Sequence, residues 1–138
     1  MMTILESYLR TAIWAGVDDE GESLDKGFIT SDFTKESVEK AEVDITRLMT
    51  RAGKKLVNGL SDEEIGQKFW LARNGSKTAF HDRKGTVVEV VRGDRLQQLA
   101  EAFPESSINI IGYGKSLELV QGEFEGFPVQ GLPQRNSY

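Results

Sequence analysis

The chain has 138 residues, of which 38% are hydrophobic and 28% charged, with a net charge of −5 and no cysteine. This length and apolar content suffice for one hydrophobic core, and the lack of cysteine excludes disulfides, thiolate metal sites and cysteine nucleophiles. No apolar run reaches the roughly 20 residues that cross a membrane, and no basic start of a signal peptide is present. We therefore expect a cytoplasmic protein that makes no membrane contact.

Charge is unevenly distributed along the chain. Residues 1–50 contain eleven Asp and Glu against five Lys and Arg, residues 51–95 contain six against ten, and residues 96–138 contain five against two. The simplest interpretation is that acidic and basic parts pair within one fold. The alternatives are an acidic face for a basic partner or a basic face for nucleic acid, and the sequence pI near 5.0 disfavours nucleic acid.

Helical signals open the chain. Thr3 and Glu6 have the spacing of a capping box, apolar residues then recur every three to four positions, and Gly16 can end the helix. These features predict a helix over about residues 4–15. Residues 17–34 follow as an acidic loop whose spacing does not match a calcium-binding loop, so no metal site is predicted there.

Two further helices are predicted after this loop. An amphipathic stripe indicates a helix over roughly residues 35–52, ended by Gly53. Ser61 and Glu64 form another capping box, which predicts a short helix through about Gly66.

The pattern then changes from helical spacing to alternation. Residues 69–73 and 78–82 alternate in polarity on either side of an Asn-Gly dipeptide, which favours a tight hairpin turn. We therefore predict a β-hairpin here. Arg73 and Asp82 would share one of its faces but stand too far apart to pair, so each requires a partner elsewhere, and structural roles are favoured for both.

The remaining elements complete the predicted fold. Residues 86–91 are rich in β-branched valine and predict an extra strand, followed by a helix at about residues 95–103 with Asp94 as its N-cap. A second hairpin is predicted from residues 108–111 and 117–120. The fold class is thus α+β, with a small antiparallel sheet of two hairpins plus an extra strand packed against three to four helices.

The composition changes near the end of the chain. Glycine, proline and glutamine become frequent over residues 121–138, where Phe124 and Phe127 are isolated apolar residues. We predict a single domain over residues 1–120, followed by a tail that is either flexible or docked on a partner. In the docked case the protein would be a structural or assembly subunit.

Residue types that commonly carry catalysis are scarce. His81 is the only histidine, and its neighbour Asp82 would point to the opposite face of a strand. No phosphate-binding glycine loop, nucleophile elbow or zinc-binding helix motif is present. We therefore predict no catalytic residues, no metal and no cofactor, and we favour a protein that is not an enzyme.

A site for a small anionic ligand, or a minor enzyme site, is the alternative. Arginine forks suit phosphate and carboxylate groups, and the predicted first hairpin carries arginines near aromatic and polar side chains. The candidate ligand-binding residues are Trp70, Arg73, Asn74, His81 and Arg83.

The same segment carries a resemblance. Phe69-Trp70-Leu71-Ala72-Arg73-Asn74-Gly75 and the following Phe80-His81-Asp82-Arg83 form the pattern F-W-L-x-R-N-G…F-x-D-R. This pattern resembles one found in small proteins of bacteriophages and related mobile elements, and residues 7–14 and the acidic loop are similar to their N-terminal part. His81 stands where that pattern has tryptophan, and residues 76–79 replace its His-Gly-Ala-Gly, so no histidine is shared.

The leading hypothesis joins these observations. The resemblance implies a phage or mobile-element accessory protein and no particular reaction, and an acidic surface would let it bind a host or defence protein in the host cytoplasm. Such a surface could occupy a site built for nucleic acid. The candidate protein-binding residues are Asp18, Asp19, Glu20, Glu22, Asp25, Glu36, Glu39 and Glu42.

Overall fold

The computed structural model describes residues 2–81 and 86–124, and it has the predicted α+β class. Within these residues the fold consists of four helices and a two-stranded antiparallel sheet. The elements are α1 (Ile4–Ala15), α2 (Lys35–Val57), α3 (Asp62–Arg73), α4 (Val87–Glu101), β1 (Ser106–Ile111) and β2 (Ser116–Gln121). Two single-turn 3₁₀ helices, Leu24–Lys26 and Thr30–Asp32, lie between α1 and α2.

The first helix, α1, begins and ends where the sequence predicts. Thr3 is its N-cap, and the Thr3 Oγ1 accepts a hydrogen bond from the Glu6 amide at 3.0 Å. The helix ends at Gly16, again as predicted. Its apolar stripe is buried in the core, because the stripe faces the other helices. The buried apolar residues of α1 are Tyr8, Leu9, Ala12 and Ile13.

The second helix, α2, is longer than predicted because it continues past a kink. Thr34 caps its start by accepting a hydrogen bond from the Ser37 amide. Gly53 adopts φ +76° and ψ 168°, so the regular helix breaks where the sequence predicts its end, and a further turn follows to Val57. The face of α2 that contacts α1 and α4 buries Ala41, Ile45 and Leu48.

The predicted first hairpin is wrong, because its first half is the C-terminal part of α3. The reciprocal capping box of Ser61 and Glu64 starts a helix that continues to Arg73 and does not stop near Gly66. This helix buries residues on more than one side, so the polarity of a short stretch alternates although the backbone is helical. The Asn-Gly dipeptide ends the helix, with Gly75 at φ +113°.

The second half of that predicted hairpin is also not a strand. Residues 76–81 form irregular turns in which Phe80 is fully buried. Gln97 of α4 fixes this segment, because its Oε1 accepts from the Phe80 amide at 2.9 Å and its Nε2 donates to the Ser76 carbonyl oxygen at 2.8 Å. Residues 82–85 lie outside the described residues. The predictions for Asp82 and Arg83 concern this segment.

The strand predicted at residues 86–91 is wrong as well, because α4 begins there. Thr86 and Glu89 form a reciprocal capping box, which satisfies the start of the helix locally in spite of four valines with low helix propensity. Asp94, predicted as an N-cap, is an exposed residue inside α4. The described residues contain no strand besides β1, β2 and isolated bridges.

The second predicted hairpin is confirmed as β1 and β2. Ile108 pairs with Leu119 and Ile110 pairs with Leu117 in the antiparallel ladder. Both leucines are fully buried, and a parallel bridge between Phe33 and Leu117 joins β2 to the segment that precedes α2. One face of the sheet therefore packs on the helices, with β2 on the side of α2.

A close contact between α1 and α3 depends on Gly66. A Cβ atom on Gly66 would collide with the carbonyl oxygen of Ile4 and would lie 2.8 Å from the Ser7 Cβ. Across the same contact, the Ser7 hydroxyl donates to the carbonyl oxygen of Glu63 at 2.6 Å. The lack of a side chain at Gly66 therefore allows α1 and α3 to approach this closely.

The chain remains part of the fold beyond residue 120, the predicted end of the domain. Gln121 ends β2, and the Phe124 ring stacks on Phe103 with ring centroids 4.3 Å apart. Residues 125–138, which make up most of the predicted tail, lie outside the described residues.

Candidate functional site

A buried polar site surrounds Arg73, the last residue of α3. Arg73 is 2% exposed, and its Nη1 donates to Asp44 Oδ2 at 2.7 Å and to the Tyr8 hydroxyl at 2.9 Å. Its Nε and Nη2 donate to the carbonyl oxygen of Pro104 at 3.0 and 2.7 Å. The guanidinium thereby joins α1, α2, α3 and the segment that leads into β1.

Two aromatic rings contact the same guanidinium. The Arg73 Cζ lies 5.6 Å from the ring centroid of Phe69 and 5.4 Å from that of Phe103. Cation–π contacts stabilise a desolvated charge, and Asp44 supplies the opposite charge. Arginine suits this position because its planar fork can lie near rings and form directed hydrogen bonds at once.

Asp44 extends the site toward the sheet. Its Oδ2 also accepts a hydrogen bond from Gln121 Nε2 at 2.7 Å, and Gln121 Oε1 accepts one from the Ser106 hydroxyl at 3.0 Å. The Ser106 amide donates to Asn74 Oδ1 at 2.7 Å. One polar network therefore runs from α2 through both strands to Asn74, which caps the end of α3.

Sequence reasoning missed Asp44, although a signal was present. Asp44 lies three residues after Ala41 and four before Leu48, on the apolar stripe of α2. A carboxylate in such a stripe is rarely buried without a partner. The spacing thus indicates a buried acid, while the identity of its partner depends on how α2 and α3 pack.

Tyr8 completes the buried site from α1. Burial raises the pKa of the Tyr8 hydroxyl to about 12, while the neighbouring Arg73 lowers it and Asp44 raises it by smaller amounts. At neutral pH the phenol is therefore protonated, and it serves as a neutral acceptor for the Arg73 guanidinium.

The structure does not gather the predicted ligand-binding residues on one surface. Trp70 is buried with its ring 5.3 Å from that of Tyr8, and the guanidinium of Arg73 is turned toward acceptors inside the protein. Asn74 donates to the Trp70 carbonyl oxygen at 3.0 Å and accepts from the sheet. These three residues thus take part in packing and hydrogen bonding within the fold, and the partner that Arg73 required is Asp44.

The other two ligand-binding candidates lie elsewhere. His81 is exposed, and its Nε2 is 3.2 Å from Asp94 Oδ1 of α4. Arg83 is outside the described residues. An exposed pair of this kind contributes little to stability, since water and salt screen it.

The acidic loop after α1 has a defined backbone conformation. Asp18 Oδ1 accepts hydrogen bonds from the amides of Glu20 and Glu22, both at 2.9 Å, in an Asx-type turn. Glu22 also pairs with Lys26 at 2.8 Å on the surface. The exposed acidic residues of this loop are Asp19, Glu20, Glu22 and Asp25.

The acidic candidates on α2 lie at a different place. Glu36 and Glu39 line a shallow groove of about 280 Å³ together with Lys40, and Glu42 is exposed on the same helix. Asp25 of the loop lines another cleft. The eight acidic candidates therefore do not line one common cleft.

The cleft that Asp25 lines is open and has a volume of about 780 Å³. It lies between α1, the following loop and the start of α3. We call it the Trp14 cleft. Trp14 at its edge is 62% exposed and Ile29 is 67% exposed. Its aromatic, branched apolar and charged lining includes Arg10, Trp14, Asp25, Phe28, Ile29 and Glu63.

The Trp14 cleft is not among the sites that the sequence predicts. The available signal was the position of Trp14, which lies outside the apolar stripe of α1 and immediately before the acidic loop. A tryptophan outside the core stripe is expected at the surface, and tryptophan is enriched among the residues that dominate binding energy at protein interfaces. The loop that forms the opposite wall could not be placed from its sequence.

Within residues 2–81 and 86–124, no group of three or more acidic or histidine side chains is arranged to hold a metal ion. Over the same residues, no helix is both long and apolar enough to span a membrane. Comparison of the chain with protein-family models, with curated proteins and with solved structures finds no match in any of the three.

Proposed function

We propose that this protein is a phage or mobile-element accessory protein that acts by binding a host or defence protein, and that the Trp14 cleft is its binding site. The observation that carries the proposal is the exposed Trp14 ring at the edge of an open cleft, beside the acidic loop. The resemblance of the pattern in residues 69–83 supports the phage context.

Exposed apolar area at the cleft supplies a reason to bind. Trp14, Ile29 and Phe28 together offer aromatic and branched surface that water would leave on association. Removing apolar area from water contributes roughly 25 cal/mol per Å², and a tryptophan offers the largest such area of any side chain. Tryptophan is also enriched among the residues that dominate binding energy at protein interfaces.

Charge around the cleft indicates the chemistry of the partner. Asp25 and Glu63 line it with one basic residue, Arg10, and the loop beside it exposes further carboxylates. A partner surface with lysine or arginine around an apolar side chain would match both the rim and the centre. A basic patch is typical of proteins that bind nucleic acid.

The alternative, a small-ligand site around Arg73 and His81, has less support. The Arg73 guanidinium donates to Asp44, Tyr8 and Pro104 inside the fold. An anionic ligand would have to displace these partners and enter the core.

Affinity capture from host lysate with matched variants tests the proposal. We expect the wild-type protein to retain a saturable, basic partner that high salt weakens, and Trp14→Ala to reduce its affinity at least about tenfold, as for a central interface aromatic. Tyr113→Ala is the matched control, because Tyr113 is a fully exposed aromatic at the β1–β2 turn. Equal capture by all three proteins, or no saturable partner, would contradict the proposal.

A second measurement locates binding at the cleft. In the Trp70→Phe variant, Trp14 is the only tryptophan, so its fluorescence reports the cleft alone. We expect the purified partner to shift the emission of Trp14 and shield it from acrylamide. A partner that binds without either change binds elsewhere.

A further inference from the structure

The edge of β1 that faces away from β2 carries backbone groups that could form hydrogen bonds with another strand. In an antiparallel pair, the backbone groups of alternate residues point toward the partner strand and those of the others point away. The Leu117 carbonyl oxygen accepts from the Thr34 amide at 2.9 Å, and the Leu119 amide donates to Ser37 Oγ at 2.8 Å. The backbone groups of Leu117 and Leu119 therefore point away from β1.

The register fixes the corresponding residues of β1. Ile110 is opposite Leu117 and Ile108 is opposite Leu119, so the backbone groups of both isoleucines point away from β2. Ser106 has the same parity, and its amide indeed points outward, to Asn74 Oδ1. Among the described residues, no hydrogen-bond partner reaches the outward N–H and C=O groups of Ile108 and Ile110.

The side chains of β1 do not protect this edge. Natural sheets blunt exposed edges with lysine, proline, bulges or inward charges. The strand Ser-Ser-Ile-Asn-Ile-Ile has none of these charges and no proline, and its pairing with β2 is regular. Ile110 is 38% exposed although it shares the face of the buried Leu117, so the core does not fully cover this end of the sheet.

We propose that a second copy of this chain binds this edge, with the two β1 strands antiparallel about a two-fold axis at Asn109. In that register Ile108 faces the partner's Ile110, and each such pair exchanges two N–H···O bonds. All outward backbone groups of both isoleucines are then paired. The result is a continuous four-stranded sheet in which the exposed Ile110 of each copy contacts the partner's Ile108.

Charge does not oppose this arrangement. β1 brings no charged side chain to the axis, and Asn109 meets the partner's Asn109, whose amide can both donate and accept. The nearest charge on the strands is Glu118, opposite Asn109. With strands spaced about 4.8 Å apart, the two Glu118 residues would be roughly 14 Å apart, beyond the screening length of about 8 Å at physiological salt.

The expected dimer is weak, because two short strands bury less than the roughly 1,200 Å² of a standard stable interface. Sedimentation analysis from micromolar to near-millimolar concentration should therefore show a reversible monomer–dimer equilibrium of the full chain. In the same samples, hydrogen exchange of the Ile108 and Ile110 amides should slow as the concentration rises, while that of the inward Asn109 amide should not change.

Two variants and one control distinguish this edge from other contacts. Ile110→Pro removes an outward donor that an edge strand can lose, and it should weaken the dimer at least about tenfold because two hydrogen bonds are lost per dimer. Asn109→Lys places like charges face to face, so its weakening of the dimer should diminish at high salt. Val120 is on β2, on the same face of the sheet as Asn109 but away from the axis, so Val120→Lys should leave the dimer unchanged.

Several results would overturn the proposal. A chain that stays monomeric throughout, or a dimer insensitive to both variants, excludes the edge as a self-association site. Protection of the two isoleucine amides at every concentration would mean that another part of the chain covers the edge. Trp14→Ala tests the proposed function separately and should not affect the dimer.

Discussion

At Arg73, the burial of a charge is stabilised by an opposite charge, by neutral acceptors and by aromatic rings together. Asp44 supplies the charge, while Tyr8 and the Pro104 carbonyl accept the remaining hydrogen bonds. Burying an isolated charge is costly, and removing one partner of a buried pair costs more than the pair itself contributes. The Arg73 guanidinium thus links α1, α2, α3 and the segment before β1.

Replacing the counter-charge should destabilise the fold strongly. We expect Asp44→Asn to lower the free energy of unfolding by about 3–5 kcal/mol, because it leaves the Arg73 charge buried without an opposite charge. Urea unfolding followed by circular dichroism measures the change. Glu36→Gln on the exposed face of the same helix is the control and should change the value by less than about 0.5 kcal/mol. A loss below about 1 kcal/mol for Asp44→Asn would contradict this account.

Tyr8 should make stability depend on alkaline pH. Its pKa is raised from 10.0 in the unfolded chain to about 12 in the fold, so the folded state holds the proton more tightly. This contribution is complete below pH 10 and is lost as the pH rises through about 12, which amounts to roughly 2–3 kcal/mol. Urea unfolding at several pH values between 9 and 12 measures it. Tyr8→Phe should be less stable at pH 9 but should lose less stability than wild type over this range.

Among the secondary-structure elements, the starts of helices are set by local caps, whereas the choice between helix and strand also depends on tertiary packing. Each of the helices α1–α4 starts at a threonine or serine whose hydroxyl accepts from the amide three residues on, and sequence alone identifies three of these starts. The exception is Thr86, where four valines favour a strand and compete with the capping box that Thr86 forms with Glu89. For residues 69–73, alternation over five positions could not exclude a helix buried on several sides.

The close contact between α1 and α3 should not tolerate a side chain at Gly66. Gly66→Ala should improve helix propensity by up to about 1 kcal/mol, yet the added Cβ would meet the backbone of α1. We expect a net loss of at least about 2 kcal/mol in stability, because helix backbones cannot separate without loosening the core. Thermal unfolding measures it.

The control for this prediction is Gly27→Ala. Gly27 has φ −133°, and no atom lies within 4 Å of the position that its Cβ would occupy. This substitution should leave the melting temperature nearly unchanged. A stabilised Gly66→Ala protein would show that the two helices can move apart freely.

For the whole molecule, the last described residues link the sheet to the helices. Gln121 bonds Asp44 and Ser106, and Phe124 stacks on Phe103 and lies beneath Arg47, whose Cζ is 5.1 Å from the ring centroid. Residues just past the boundary that composition indicates therefore contact both the sheet and the helices. The composition changes at residue 121 because glycine and proline become frequent. This change does not indicate that the side chains of Gln121 and Phe124 contact the rest of the fold.

Two truncated chains test the contribution of these contacts. A chain that ends at Val120 should be less stable than one that ends at Phe124 by roughly 2–4 kcal/mol, since only the shorter chain lacks the Gln121 and Phe124 contacts. Urea unfolding of both proteins under one condition measures the difference. Equal stability would show that these contacts contribute nothing to the fold as a whole.

Local sequence signals suffice to predict the α+β class, the extent of α1, the break at Gly53 and the β1–β2 hairpin, because caps, left-handed glycines and turn signals act over a few neighbouring residues. Contacts between distant elements were needed to establish that residues 69–73 are helical, that Arg73 pairs with Asp44 and that Trp14 stays exposed. Those outcomes depend on which faces meet in space, and that is decided by packing among elements far apart in the chain.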